Sequence, residues 1–413
     1  MRYFLSTLLL WPLMCSAQVV MPLSLNEAES MLQQHSRELR LANAALGGAV
    51  ADVQVAGQRP NPDVSLNAAS ISPWSGYGSG GWKDKKMDTI LRMDQLVERG
   101  GKRDLRIKGA EARLDAARFD VEETSRQQLG ALRYAYYNLL LAQGKQFLAR
   151  ETADLYGKSV QVGKLRQKAG DIAPVDVSRL HIDKARADSE ARQAQTELEQ
   201  AQIALAYLIG RENDARSLKA TDTWPALEDK MLKQLPLDQR PDLEAAKRRQ
   251  IAAEADRDLA RARKNRDVTV GMQYEHNLQN APTNSYGLGV SVPLFIWHEY
   301  EGEIARSESE LDTARLQYEQ QQAQAVGQVA QARNALLSAR DRIARLENGL
   351  LADAERVAKA SEFAYAKGAM GLMDLLDSRR TLRQIQIEAA SARADYAKAL
   401  SDWQLQAEFR NMK

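Results

Sequence analysis

The chain is poor in the residues on which most catalytic and metal sites depend. Among 413 residues there is one cysteine, and there are four histidines. His35, His181, His276 and His298 are scattered along the sequence without metal-ligand spacing. A glycine-rich phosphate loop ending in Gly-Lys-Ser/Thr and a Gly-x-Ser-x-Gly motif are also absent from the sequence. The sequence therefore predicts no enzyme, no cofactor and no resident metal site.

The single cysteine, Cys15, lies in an N-terminal segment with the pattern of an export signal. Arg2 supplies a positive start, and residues 4–14 form an apolar stretch too short to span a bilayer as a helix. We expect cleavage after Ala17, so that the exported chain has no cysteine and no disulfide. The alternative is lipidation of Cys15, although Met14 stands where lipoprotein cleavage favours a small residue.

Charge and hydropathy exclude two further classes of protein. Charged residues make up 27% of the chain, but the formal net charge is only +2, which gives no argument for nucleic-acid binding. After the N-terminal segment no run of about twenty apolar residues follows, so a membrane-spanning helix is not predicted. Aromatic residues are only 6%, a composition that suits long helices with small side chains at their seams.

The two halves of the chain repeat each other. Residues 63–66 match 267–270, and residues 114–118 match 311–315 at nearly the same offset. Each half is predicted to contain a helix, two strands, a long helix, a turn and a helix. The predicted domains are a signal peptide over 1–17, a first repeat over 18–215, a linker or equatorial segment over 216–239, and a second repeat over 240–413.

Four segments have the period-two alternation of strands, and the two in the second half are each about nine residues long, roughly what a tilted strand needs to cross a bilayer. In the second half Val268, Val270, Met272, Leu288 and Val290 are predicted to face lipid. Thr269, Gln273 and Ser291 are predicted to face a lumen. The strand near 89–97 is weaker, because Arg92 and Asp94 interrupt it. The alternative interpretation is a pair of half-buried hairpins on a soluble core, with 72–82 as an exposed loop.

The remaining segments predict long helices that pack through coiled-coil seams. Leu129, Leu132, Tyr136 and Leu139 recur at intervals of three and four. Leu336, Ile343, Leu350 and Val357 recur every seven residues. A continuous helix from Lys102 to about Gln167 would be about 100 Å long at 1.5 Å per residue. A compact domain of this chain's size cannot contain that length, so the helices are expected to project.

Several short motifs carry a resemblance to a known family when they are taken in order. They are Leu23-Ser-Leu25-Asn-Glu27-Ala28, Gly100-Gly101-Lys102-Arg103, Ala206-Tyr-Leu-Ile-Gly210, Val292-Pro293-Leu294-Phe295, Tyr365-Ala-Lys-Gly368 and Asp374-Leu-Leu-Asp377. Together they resemble the TolC-like outer membrane efflux family, in its cobalt–zinc–cadmium (CzcC-like) branch. The resemblance covers nearly the whole mature chain.

The resemblance implies an α+β fold in which three chains share one transmembrane β-barrel, continued by a long periplasmic α-helical barrel. Four strands per chain cannot close a barrel alone, and two chains would give eight strands, whose interior is filled by side chains. A conduit therefore favours a homotrimer. Gly100, Gly101, Lys102 and Arg103 would form the joint at the periplasmic rim, with Pro293 as its counterpart. Lys102 and Arg103 would sit at the level of the lipid headgroups.

The resemblance also implies where the chain would open and dock. Asp374 and Asp377 share one helix face and would form the narrowest ring of the periplasmic entrance, with Tyr365 placed to hydrogen-bond Asp176. Met370 stands where some relatives have a basic gate residue. A periplasmic adaptor protein, joined to a proton-driven inner membrane RND pump, would dock on two turns. Their residues are Gly170, Ala173, Pro174, Gly368 and Gly371. Alternatively, the two aspartates simply solvate a helix start.

The preferred function is a passive outer membrane duct that exports divalent heavy-metal cations. A duct for organic compounds is the first alternative, because the inner membrane pump largely selects the cargo. A periplasmic coiled-coil adaptor is the second, although no lipoyl-like β-domain is visible in the sequence. A soluble enzyme has no positive feature.

Overall fold

The computed structural model describes residues 20–71, 87–227, 236–278 and 283–407. The predicted signal peptide with Cys15, and the predicted loop over 72–82, lie outside the described residues. Within the described parts of the chain, no helix combines the length and the apolar character needed to cross a membrane.

The described residues form eight α-helices and six β-strands. The helices are α1 (Leu25–His35), α2 (Arg37–Gly57), α3 (Lys102–Ala169), α4 (Pro174–Ile209), α5 (Pro241–Ala262), α6 (Glu301–Arg345), α7 (Leu351–Ala366) and α8 (Leu372–Ala407). The strands are β1 (Met21–Leu23), β2 (Asp63–Ala69), β3 (Asp88–Val97), β4 (Leu218–Ala220), β5 (Val268–Asn277) and β6 (Thr283–Ser291). Each half thus contains two successive strands followed by a long helix, as the sequence predicts.

The chain divides into two compact units, and each unit draws on both halves of the sequence. One contains described residues 20–37, 125–227 and 329–407, and the other contains 38–71, 87–124, 236–278 and 283–328. These units differ from the predicted repeats, because the strands of one half pair with the strands of the other.

A four-stranded antiparallel sheet dominates the second of these units. Its strand order is β2-β3-β5-β6, so each half supplies one hairpin and β3 joins β5 at the centre. The register places Val97 opposite Val268, and Met272 opposite Leu288. Because neighbouring strands are antiparallel, the four strand ends that lead to helices lie at one end of the sheet.

The sheet has one apolar face and one polar face, as the alternation in the sequence predicts. The apolar face carries exposed large side chains on all four strands; Leu66 on β2 is 70% exposed and Leu288 on β6 is 88% exposed. Arg92 and Asp94 do not interrupt β3, contrary to the prediction. They lie on the polar face, where the Arg92 Nε atom is 2.7 Å from Asp94 Oδ2. Leu91 and Met93 lie on the apolar face and keep the alternation.

The first predicted helix seam forms the core of the other unit. Helix α3 is continuous over 68 residues, and Leu132, Tyr136 and Leu139 on it are fully buried. The hydroxyl of Tyr136 donates to the carbonyl oxygen of Leu23 at 2.9 Å and accepts from the N–H groups of Thr221 and Asp222. Burial raises the pKa of Tyr136 to about 12. This hydroxyl therefore stays protonated and holds the β1–β4 pair, which the sequence did not predict, against α3.

Within this chain the second predicted seam is buried only as far as Leu346. Ile343 is buried, but Leu350 and Val357 are 47% and 56% exposed. Residues Leu346–Leu350 form a π-helical segment between α6 and α7. Because a π-turn contains more residues than an α-turn, it rotates the faces that follow it. The buried residues of α7 are therefore Ala354, Ala358 and Ser361, which lie outside the predicted heptad.

Candidate functional site

The joint between β3 and α3 requires glycine. Gly100 and Gly101 have φ angles of 77° and 69°, in the left-handed region that glycine occupies without a steric penalty. A Cβ atom on Gly100 would also lie 2.5 Å from the Nδ2 atom of Asn265, whereas one on Gly101 would meet nothing within 4 Å. The predicted sharp change of direction is therefore present, and Gly100 is its sterically restricted position.

The side chains after the two glycines tie the joint to other segments of the same unit. The Lys102 ammonium group is buried, and it donates to the carbonyl oxygen of Asn265 at 2.7 Å and to Asp267 Oδ1 at 2.8 Å. The acceptors at the start of β5 therefore match the charge of Lys102 within the chain. The position of Lys102 and Arg103 at the level of the lipid headgroups stays a prediction. Arg103 Nε donates to the carbonyl oxygen of Gly57 at 2.7 Å. On the other hairpin, β6 ends at Ser291, two residues before Pro293.

Gly100→Ala is expected to destabilise the chain more than Gly101→Ala does. Both variants place a side chain in the left-handed region, which costs about 1–2 kcal/mol per residue. At Gly100 the added Cβ atom would also displace Asn265, whose carbonyl oxygen accepts from Lys102. The thermal unfolding midpoint of the detergent-purified protein, followed by circular dichroism, measures the difference. Equal midpoints for the two variants would contradict this, because they would mean that displacing Asn265 does not lower the stability.

The turn between α3 and α4 has the geometry that the sequence predicts. Gly170 follows the last residue of α3 with a φ angle of 84°. The N–H group of Asp171 donates to the carbonyl oxygen of Arg166 at 2.9 Å, so the turn satisfies a free carbonyl at the helix end. Ala173 has the extended conformation of an N-cap residue, and Pro174 is the first residue of α4.

The turn between α7 and α8 repeats this bonding pattern. Gly368 has a φ angle of 73°, and the N–H group of Ala369 donates to the carbonyl oxygen of Ala364 at 2.9 Å. Met370 and Gly371 complete the connection to α8, which begins at Leu372. The two turns thus end two helical hairpins in the same way, and backbone hydrogen bonds within each turn stabilise it.

The two aspartates of the predicted constriction lie at the start of α8, and both are exposed. Leu375 and Leu376 between them are buried, so Asp374 and Asp377 share the opposite, solvent-facing side of the helix. Of the ion pairs between described residues, none involves either carboxylate. Their charges are therefore available to other chains or to passing cations.

Tyr365 and Asp176 have different neighbours within one chain. Arg166 Nη1 donates to the Tyr365 hydroxyl at 2.9 Å, and its guanidinium carbon lies 4.9 Å from the centre of the tyrosine ring. Asp176 lies 3.8 Å from Arg179. The Tyr365–Asp176 hydrogen bond stays a prediction for a contact between chains. The partner that sequence reasoning missed, Arg166, could have been suspected from its place in the last turn of α3.

Sequence reasoning also missed a row of arginines further along α8. Arg379 pairs with Glu362 on α7, Arg380 pairs with Asp183 on α4, and Arg383 pairs with Glu190 on α4. They lie close to a cleft of about 220 Å³. These ion pairs hold α8 to the neighbouring helices beside the acidic positions. In the described residues no group of three histidine, cysteine or acidic side chains is arranged to hold a metal ion.

Comparisons with known proteins match this architecture over most of the chain. The model of the family described as "Outer membrane efflux protein" matches residues 29–211 and 232–402. The cobalt-zinc-cadmium resistance protein CzcC of Cupriavidus metallidurans is 26% identical over 373 residues, which are 89% of this chain and 85% of that protein.

Two solved structures have the same fold at low sequence identity. The outer membrane protein VceC of Vibrio cholerae is 22% identical with a TM-score of 0.75, and the alignment covers 94% of this chain and 97% of VceC. The CmeC outer membrane channel of Campylobacter jejuni is 16% identical with a TM-score of 0.79, and the alignment covers 92% and 85% of the two chains.

Proposed function

Because the chain belongs to the outer membrane efflux protein family, we propose that it is the passive outer duct of a tripartite pump for divalent heavy-metal cations. It is an outer membrane efflux channel of a Gram-negative bacterium, with a periplasmic extension, and it is not an enzyme. The cargo, the trimer and the partner proteins are the proposed part.

The exposed apolar face of the sheet is the observation that carries the proposal. Large side chains on all four strands of this face are exposed, among them Leu66, Leu91, Met272 and Leu288. Water does not favour so continuous an apolar surface, whereas a bilayer does. The opposite face carries Arg92, Asp94 and a series of glycines on β5 and β6, which suits a water-filled lumen.

The edges of the sheet support a homotrimer. Among the described residues β2 and β6 each pair on one side only, and unpaired strand edges are prohibitive in lipid. Joining β6 of one chain to β2 of the next satisfies both edges. Three chains give twelve strands, a number that leaves room for a conduit, whereas eight strands would be filled by their own side chains.

The helical hairpin ends are the proposed contact with the rest of the pump. The turns at Gly170–Pro174 and Gly368–Gly371 would receive a periplasmic adaptor protein, which in turn joins a proton-driven inner membrane RND pump. Asp374 and Asp377 from three chains would place six carboxylates around one axis. Such a ring attracts cations while the duct itself supplies no energy.

The cargo assignment rests on the similarity to a protein named for resistance to cobalt, zinc and cadmium. A strain that lacks this chain but keeps its pump and adaptor is expected to lose resistance to one or more of these metals. Plasmid-borne protein should restore it. If the strain becomes sensitive to organic compounds and not to metals, the cargo is an organic compound. If the strain keeps its full resistance to every metal and every organic compound tested, the export function is overturned.

A further inference from the structure

A cationic cleft lies beside the strand–helix joint, at the end of the sheet where the helices connect. Its volume is about 430 Å³. It is lined by Arg99, Gly100, Lys264, Asn265, Arg266, Phe295 and Glu299. The lining thus contains three cations and one acid, so the cleft carries a positive charge.

Arg99, Lys264 and Arg266 form no ion pair with another described residue, whereas other basic side chains at the joint do. Lys102 contacts Asp267, and Arg106 contacts Glu98. Arg99, Lys264 and Arg266 are exposed. Arg266 is held with its guanidinium carbon 5.4 Å from the centre of the Phe295 ring, and Arg99 is fixed through its backbone N–H, which donates to Asp267 at 2.9 Å. The Arg266 side chain is therefore held beside Phe295, and among the described residues no ion pair neutralises any of the three cations.

An exposed apolar segment begins directly after β6 and borders the cleft. Val292, Leu294, Ile296 and Trp297 are all exposed, with Leu294 at 71% and Trp297 at 94%. Phe295, which lines the cleft, packs against the ring of Tyr300 at 5.3 Å between centroids. The segment is continuous in sequence with the apolar face of β6. Tryptophan next to a membrane-spanning strand is typical of the boundary between lipid and water.

We propose that this cleft binds the phosphate group of an anionic phospholipid in the periplasmic leaflet, with residues 292–297 lying against its acyl chains. The inference rests on the proposed membrane position of the sheet. Arginine and lysine supply charge-assisted hydrogen bonds to phosphate, and basic residues near a membrane surface attract anionic lipids. Because apolar residues border the cations, the complementary ligand is a lipid rather than free phosphate.

The test compares lipid retention by the full-length wild-type protein with that of a triple variant, Arg99→Gln, Lys264→Gln and Arg266→Gln. The protein is purified in detergent, mixed with phosphatidylglycerol or phosphatidylcholine, and analysed by native mass spectrometry. The wild type should retain phosphatidylglycerol, and the variant should retain at least about tenfold less. Phosphatidylcholine should not distinguish them. A control with Arg118→Gln, Arg306→Gln and Arg356→Gln removes the same charge elsewhere and should behave as the wild type.

Three outcomes would overturn the proposal. These are equal retention by the wild type and the cleft variant, equal retention of both lipids, or full displacement of the lipid by millimolar inorganic phosphate. The last would mean that the cleft binds the phosphate group without the lipid. These experiments use purified protein and no cargo, so they can fail while the chain still restores metal resistance to the strain that lacks it. Conversely, loss of the export function would leave a positive lipid result unchanged.

A second measurement decides whether lipid or another copy of the chain covers the apolar segment. Tryptophan fluorescence of the protein in brominated phosphatidylglycerol vesicles should be quenched more in the wild type than in Trp297→Phe. Quenching that does not differ between the two proteins would mean that a neighbouring chain covers Trp297, and the lipid proposal would fall.

Discussion

Arginine at Val270 should impair insertion of the sheet into the outer membrane, whereas arginine at the adjacent Thr269 should be tolerated. Val270 lies on the apolar face opposite Val290, and Thr269 lies on the polar face opposite Ser291. A lipid-facing arginine near the midplane costs about 2–4 kcal/mol, and this cost falls towards the interfaces. The fraction of folded protein in purified outer membranes measures the effect.

A second pair of positions repeats the comparison between the two faces elsewhere on the sheet. Leu288 lies on the apolar face opposite Met272, and Gln273 lies on the polar face opposite Gly287. Leu288→Arg should therefore behave like Val270→Arg, and Gln273→Arg should behave like Thr269→Arg. Equal membrane levels for all four variants would contradict the assignment of the two faces to lipid and lumen.

Replacing both aspartates at the start of α8 should weaken the cation preference of the channel without disturbing its assembly. Asp374 and Asp377 are exposed, and the buried residues that hold α8 in place lie between them. Removing six carboxylates from a narrow ring reduces the local cation concentration. The ratio of cation to anion permeability in low salt should fall by roughly tenfold or more. Block by multivalent cations should also weaken. Both are measured in planar bilayers.

The matched control removes two other exposed acids. Asp312 and Asp353 each lie three residues from an arginine on their own helix, and Asp312→Asn with Asp353→Asn should leave permeability unchanged. Unaltered selectivity in an assembled Asp374→Asn, Asp377→Asn channel would remove these residues from the constriction. The carboxylates would then only solvate the start of α8.

Features set by neighbouring residues were predictable from the sequence. The strands follow from period-two alternation, and the turns follow from Gly170 and Gly368, whose positive φ angles close two helix ends. The Leu132–Leu139 seam follows from its spacing and is buried. Even Arg92 and Asp94 fit the alternation once both faces of β3 are considered.

Features set by contacts distant in sequence were not predictable. The burial of Lys102 depends on Asn265 and Asp267, more than 160 residues further along. The loss of the heptad seam depends on a π-helical segment at Leu346–Leu350, which has no sequence signature comparable to proline or glycine. The cationic cleft likewise joins residues near 99, 265 and 295 that only the pairing of the two hairpins brings together.

The central claim is that the four strands of one chain form one third of a closed barrel in the outer membrane. The most direct test is native mass spectrometry of the protein extracted from purified outer membranes. We expect a complex of three chains, in which the edge of β6 in each chain pairs with β2 of the next. A complex of one, two or four chains, extracted with its sheet intact, would contradict it.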